Sequence, residues 1–174
     1  MISLTSGRNG GCGDLTTIVD GLHHRFRHVS VSQMSEPSAL DRLKKIGFEH
    51  AATWRSKDGI LHREPIKVPN KSCKNLLYAF VLGNEVAYIG ATRVGFESRM
   101  RGHLKPGKSQ ITNKKVNRAI LKALSKGDHV DTYAFRDPGD QRAGEFEVDL
   151  AAGLERSLID RLKPRLNDLP CKET

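Results

Sequence analysis

Ten basic side chains fall between Arg93 and Lys126 (Arg93, Arg99, Arg101, Lys105, Lys108, Lys114, Lys115, Arg118, Lys122 and Lys126), against one acid, Glu97. The formal net charge of the chain is +9, so this tract carries the whole excess and the remainder is balanced. Clustered Lys and Arg bind phosphates with release of condensed counterions, and a single basic tract on a neutral body therefore points to a polyanion such as nucleic acid. A face kept charged for solubility alone would mix signs. Within the tract, Arg99 and His103 are four residues apart, which on a helix sets a permanent cation beside a titratable ring. The other histidines, His23, His24, His28, His50, His62 and His129, have no spacing that indicates zinc. Cys12, Cys73 and Cys171 are odd in number and far apart, which supports neither a Cys-based metal site nor a disulfide framework.

The elements that must position these side chains follow from local pattern. Leu40, Leu43 and Ile46 recur at helical spacing after a helix entry at Ser35–Ser38 with Pro37 at an early position, and Gly47 ends the pattern. Phe48–Arg55 and Ile60–Val68 are strand-like runs around Asp58-Gly59, a hairpin signal. A polar connector, Pro69–Lys74, leads to a second, more apolar hairpin, Leu76–Leu82 and Glu85–Ile89 around Gly83-Asn84. The period then becomes helical, with Phe96, Met100 and Leu104 on one face and Arg99 and His103 on the adjoining stripe, until Pro106-Gly107. A further helix capped by Thr112 buries Val116, Ile120 and Leu124, exposes Lys114, Arg118 and Lys122, and ends at Gly127. His129–Phe135 is expected as a strand, the acidic stretch Arg136–Gly144 as a loop, and Val148–Leu162 as a helix closed by Pro164.

At 174 residues the chain is expected to form one domain with a tail, at ~100–200 residues per domain. Residues 1–35 are glycine-rich, with too little apolar surface to offset the entropy of ordering them, so a disordered tail or upstream extension is expected, with Met34 as an alternative start. Residues 36–74 would add a helix and hairpin to a main domain over 75–170. No stretch approaches the ~20 apolar residues of a membrane span, and no secretory or transit pattern opens the chain. A cytoplasmic location is the default expectation. From periodicity alone the fold class is α/β in the α+β sense, with a central hairpin.

The string Leu76-Leu77-Tyr78, then Tyr88-Ile89-Gly90, then Arg99 with His103, then Glu155 in a helix, then Asn167 beyond Pro164, resembles the five-part signature of the GIY-YIG nuclease superfamily. The match spans Leu76 to Asn167, about half the chain. Leu76-Leu77 stands where the family has Gly-Ile, and the link Arg93–Phe96 is slightly longer; neither change removes a functional side chain. The hairpin with Trp54 and Asp58-Gly59 is similar to the N-terminal extension of a bacterial and phage branch that includes small restriction-type endonucleases. The resemblance implies a small, mainly antiparallel three-stranded central sheet flanked by helices, with the active-site cleft on the sheet face that carries both tyrosines.

It also implies Mg²⁺-dependent hydrolysis of DNA phosphodiester bonds, with one divalent cation per site and Mn²⁺ as a substitute. Glu155 is then the metal ligand, since hard carboxylate oxygens suit Mg²⁺. Arg99 neutralises the transition-state phosphate. Tyr78, preferred over Tyr88, takes the proton of the attacking water with His103 as acceptor or relay, and Asn167 orients its surroundings through its amide. Lys105, Lys108, Lys114, Lys115, Arg118 and Lys122 are the expected contacts to duplex DNA. Taken singly, each residue has an ordinary reading: Tyr78 and Tyr88 as sheet residues, Arg99 and His103 as a solvated stripe, Glu155 as an ion-pair partner. The joint pattern favours the enzyme over a catalytically silent DNA-binding module on the same scaffold or an RNA-directed nuclease. A homodimer stays open, as do the target sequence and the choice between one-strand and two-strand cleavage.

Overall fold

The computed structural model describes residues 36–67 and 75–167. The expectations for residues 1–35, for Met34 as a start and for Pro69–Lys74 lie outside them. The described part of the chain begins at α1 (Ala39–Lys45). Ser38 caps this helix by accepting a hydrogen bond from the Asp41 amide at 3.1 Å, which satisfies one of the orphan donors of the first turn. Pro37 thus precedes the cap and is not in the first turn. Leu43 is fully buried while Ile46 remains largely exposed, so the helix docks through its middle.

The first hairpin, β1 (Glu49–Lys57) and β2 (Ile60–Pro65), turns through Asp58 at φ 53° and Gly59 at φ 75°. Two successive positive φ values match the right-handed twist of the flanking strands. The second hairpin is β3 (Leu76–Leu82) and β4 (Glu85–Thr92). After α2 (Phe96–Leu104) and α3 (Ile111–Ser125), β5 (Val130–Arg136) returns to the sheet and α4 (Leu150–Leu162) closes the described fold.

Five strands pair in the order β2-β1-β5-β3-β4, every pairing antiparallel. The expected three strands form its β5-β3-β4 part, and the first hairpin extends the same sheet by pairing β1 with β5. Trp54 anchors that junction: its Nε1 donates to Thr132 Oγ1 at 2.7 Å and its ring meets Phe80 edge-on at 5.5 Å. β3 is buried along its whole length because both faces are covered, which is why its sequence is apolar throughout and does not alternate. Leu76, Tyr78 and Phe80 pack with Phe96 and Met100 of α2 and Val116 and Ile120 of α3. Leu77, Ala79 and Val81 pack on the other face, with Leu43 of α1 and the apolar side of α4.

Several boundaries differ from the expectations for local reasons. Gln110, not Thr112, precedes the first turn of α3. Its buried row is Asn113, Val116, Ile120 and Ala123, with Leu124 only partly buried, as expected when the 3.6-residue period drifts from strict i, i+4 spacing. α4 starts at Leu150 because Asp149 caps it, accepting from Ala152 N at 2.9 Å. The acidic stretch is not wholly loop: β6 (Arg142–Ala143) and β7 (Phe146–Glu147) form a short ladder. Buried Asp137 ties that segment to α4, accepting from Gly139 N and Ala151 N.

Candidate active site

β3 and β4 are in register so that Tyr78 lies opposite Gly90 and Phe80 opposite Tyr88. Both tyrosines therefore project to the α2/α3 face. Tyr78 has no exposed surface, and its ring fits because residue 90 has no side chain: a β-carbon there would stand 2.7 Å from Tyr78 Oη. α2 lays Arg99 and His103 over this ring, as their four-residue spacing requires. Arg99 Nε donates to Tyr78 Oη at 2.6 Å, and Tyr78 Oη lies 3.1 Å from His103 Nε2. With Arg99 donating to the oxygen, the phenol's own hydrogen is free for Nε2. His103 then carries its proton on Nδ1, a buried atom without a protein partner among the described residues.

Burial and the adjacent Arg99 charge push the His103 pKa down to about 3, so the ring is neutral. Burial first, and the Tyr88 phenol second, push Tyr78 well above the usual tyrosine value, although Arg99 pulls in the opposite direction. At rest the pair is thus an uncharged phenol on an uncharged imidazole. Tyr88 sits 6.0 Å from Tyr78, ring centre to ring centre. It lines a cleft of about 390 Å³ with Arg99, Ser109, Gln110, Thr112 and Asn113. Asn117 fixes the end of α2 there, its Nδ2 donating to the carbonyls of His103 and Leu104.

Glu155 and Asn167 arrive from the other side of the sheet. β4 is an edge strand, so alternate backbone groups point outward unpaired. The α4 segment covers them in turn: Leu166 N donates to Ala87 O at 2.9 Å, the Asn167 amide both accepts from Ile89 N at 2.8 Å and donates to Ile89 O at 2.7 Å, and Glu155 Oε1 accepts from Ala91 N at 2.8 Å. Glu155 lines a second cleft of about 210 Å³ with Ala91, Thr92, Arg93, Asp149 and Ala152. The four residues of the α2/α3 side thus share the expected sheet face. Glu155 and Asn167 do not; they reach β4 around its open edge.

No family model matches the chain, and no curated protein matches it. Among solved structures, a point mutant of bacteriophage T4 EndoII aligns with a TM-score of 0.58 at 19% identity, over 76% of this chain and 100% of that one. The fold is similar to that of T4 EndoII. A restriction endonuclease, HPY188I, in complex with product DNA aligns at a TM-score of 0.43 and 19% identity, over 80% of this chain and 88% of that one.

On the EndoII-like frame the basic residues spread from the Tyr88 cleft along α3. Lys105, Lys108, Arg118 and Lys122 are exposed, whereas Lys114 and Lys115 are half-buried. Lys114 Nζ is engaged with Lys108 O at 2.6 Å. Arg118 and Lys122 share a groove of about 440 Å³ with Lys126, Arg165 and the acids Glu85 and Asp128, and Arg165 Nε donates to both Glu85 carboxylate oxygens, at 2.9 and 3.0 Å. Arg165 had no signal in the sequence, since it lies beyond the basic tract and only the path of the chain after α4 brings it to α3. The cap on the β4 edge was also hidden, because it depends on backbone groups and not on residue types.

Proposed function

We propose that the chain is a divalent-cation-dependent DNA endonuclease of the GIY-YIG type. The observation that supports this most is the convergence on one hairpin of Tyr78 held between Arg99 and His103 and of Glu155 seated on the β4 edge at Ala91, three residues beyond Tyr88. Phosphodiester hydrolysis requires an activated water, a cation for the phosphate and stabilisation of the departing 3′ oxygen. Arg99, always charged and fork-shaped, faces the cleft beside Tyr88 and supplies the second requirement.

Tyr78 and His103 supply the first. As the water's proton passes to a tyrosine oxygen, Arg99 Nε stabilises the charge that develops on Tyr78 Oη, and the Tyr78 proton moves toward His103 Nε2 only transiently, since burial beside Arg99 disfavours the imidazolium. Tyr88, at the cleft, is the outer member of this relay and Tyr78, without exposed surface, the inner one. Glu155 fits a Mg²⁺ ligand: its Oε1 is oriented by Ala91 N, and a single oriented carboxylate suits an ion that keeps most of its waters. Glu155 would hold the ion, which supplies Lewis-acid stabilisation of the leaving oxygen. The exposed basic residues of α3 would follow the nucleic-acid backbone away from the cleft.

The test is incubation of supercoiled plasmid with the full chain and Mg²⁺, with and without EDTA, beside an RNA of mixed sequence. Cation-dependent nicking or linearisation of the plasmid is expected. DNA retained in a mobility shift but never cut would make the chain a silent binding module, and preferential loss of the RNA would make it a ribonuclease.

A further inference from the structure

We propose that Arg63, on the first hairpin, is a positioning residue for the reaction, acting through α2 on Arg99; this rests on the nuclease reading above. Arg63 lies on β2, at the far edge of the sheet from β4, yet its side chain is only 9% exposed. It crosses to the first turn of α2, where Nη2 donates to Glu97 Oε2 and the guanidinium lies over the Phe96 ring at 5.5 Å. Its Nε and Nη1 are buried and have no protein partner among the described residues. A guanidinium buried with much of its donor set unused is a poor stability device, because desolvating the charge costs more than one ion pair returns. What the contact does supply is a fixed rotational setting of α2 at the end where the helix begins. Gly95, at φ 90°, gives no side-chain cap there, so Arg63 and Glu97 take over the role of holding the first turn. Arg99 follows Glu97 by two residues and His103 by six, and the 2.6 Å contact of Arg99 Nε with Tyr78 Oη tolerates little helix rotation.

The experiment replaces Arg63 with Met, which keeps an apolar stem over Phe96 but removes the charge, and with Lys, which keeps the charge. Three readouts are followed: thermal midpoint, plasmid-cleavage kcat and KM, and the Arg99 Nε–H resonance in ¹⁵N-labelled protein. Arg63→Met is expected to have an unchanged or raised thermal midpoint, a kcat lowered roughly tenfold or more, an unaltered KM and a shifted Arg99 resonance. Arg63→Lys is expected to recover part of kcat. A variant that melts earlier but keeps kcat and the Arg99 resonance would overturn the proposal and leave Arg63 a structural contact. If the wild-type chain does not cleave DNA, the nuclease reading fails, and the Arg99 resonance alone decides whether Arg63 sets the helix.

Discussion

Gly90 lies directly across the β3–β4 ladder from Tyr78, and a β-carbon at residue 90 would meet Tyr78 Oη at 2.7 Å and Tyr78 Cζ at 2.8 Å. The residue that ends the Tyr-Ile-Gly triplet is therefore the space into which the other motif tyrosine folds. This links two parts of the motif that are distant in sequence by a steric requirement and not by a hydrogen bond.

Gly90→Ala is expected to displace the Tyr78 ring and cost about 1–3 kcal/mol, the usual penalty for overpacking. Urea denaturation measures the loss. Cleavage should fall further than stability explains, since the Arg99 and His103 contacts depend on where Oη sits. A variant with wild-type stability would show that the β4 backbone yields more readily than the packed hairpin implies.

Tyr78→Phe keeps the ring in the core and deletes the group that Arg99 and His103 share. A folded protein with kcat lowered by ~10²-fold or more is expected. Tyr88→Phe should also lower kcat if Tyr88 is the outer relay member. Retained activity in Tyr78→Phe with loss in Tyr88→Phe would move the proton transfer entirely to the cleft tyrosine.

Glu155→Gln preserves an acceptor for Ala91 N but removes the negative charge. DNA binding is expected to survive in a mobility shift while cleavage is lost at every Mg²⁺ or Mn²⁺ concentration. Cleavage at the wild-type rate would leave Glu155 as a cap on the sheet edge and nothing more.

The depressed pKa of His103, about 3 in the folded chain against an ordinary ~6.5, has a defined sign. Between those values the unfolded chain binds a proton that the folded chain does not. The contribution is therefore complete above pH ~6.5 and is lost as pH falls toward 3. His103→Leu should flatten that part of the stability-versus-pH curve relative to wild type. Turnover should show no inflection near pH 6.5 attributable to this histidine.

Replacing Arg118, Lys122 and Lys126 by Gln leaves Val116 and Ile120 in the core. The fold should persist, and DNA affinity should weaken equally for unrelated sequences. The slope of log affinity against log salt should drop by about 0.9 for each contact removed. An unchanged slope would assign the substrate path to another surface.

Much of this molecule was legible in one dimension because local chemistry determined it. Asp58-Gly59 specified a hairpin turn, the four-residue spacing of Arg99 and His103 placed them on one side of a helix, and the basic tract showed itself by charge count. β3 betrayed its central position by an unbroken apolar run, since only a strand covered on both faces has that pattern. The order Tyr78, Tyr88, Arg99, His103, Glu155, Asn167 was visible as a resemblance, without its geometry.

Tertiary structure decided what depends on groups that meet across distant segments. Pairing of β1 with β5 merged the first hairpin into the main sheet and carried Arg63 to Glu97, 34 residues later in sequence. The burial of Tyr78, which sets its proton affinity, came from α2 and α3 closing over β3 and not from its neighbours in sequence. Glu155 and Asn167 reached the tyrosine hairpin only because β4 is an edge strand whose outward amides and carbonyls need partners. Backbone groups are the same at every residue, so the place where they are left unpaired is a property of strand order, and strand order is settled only when the chain has folded.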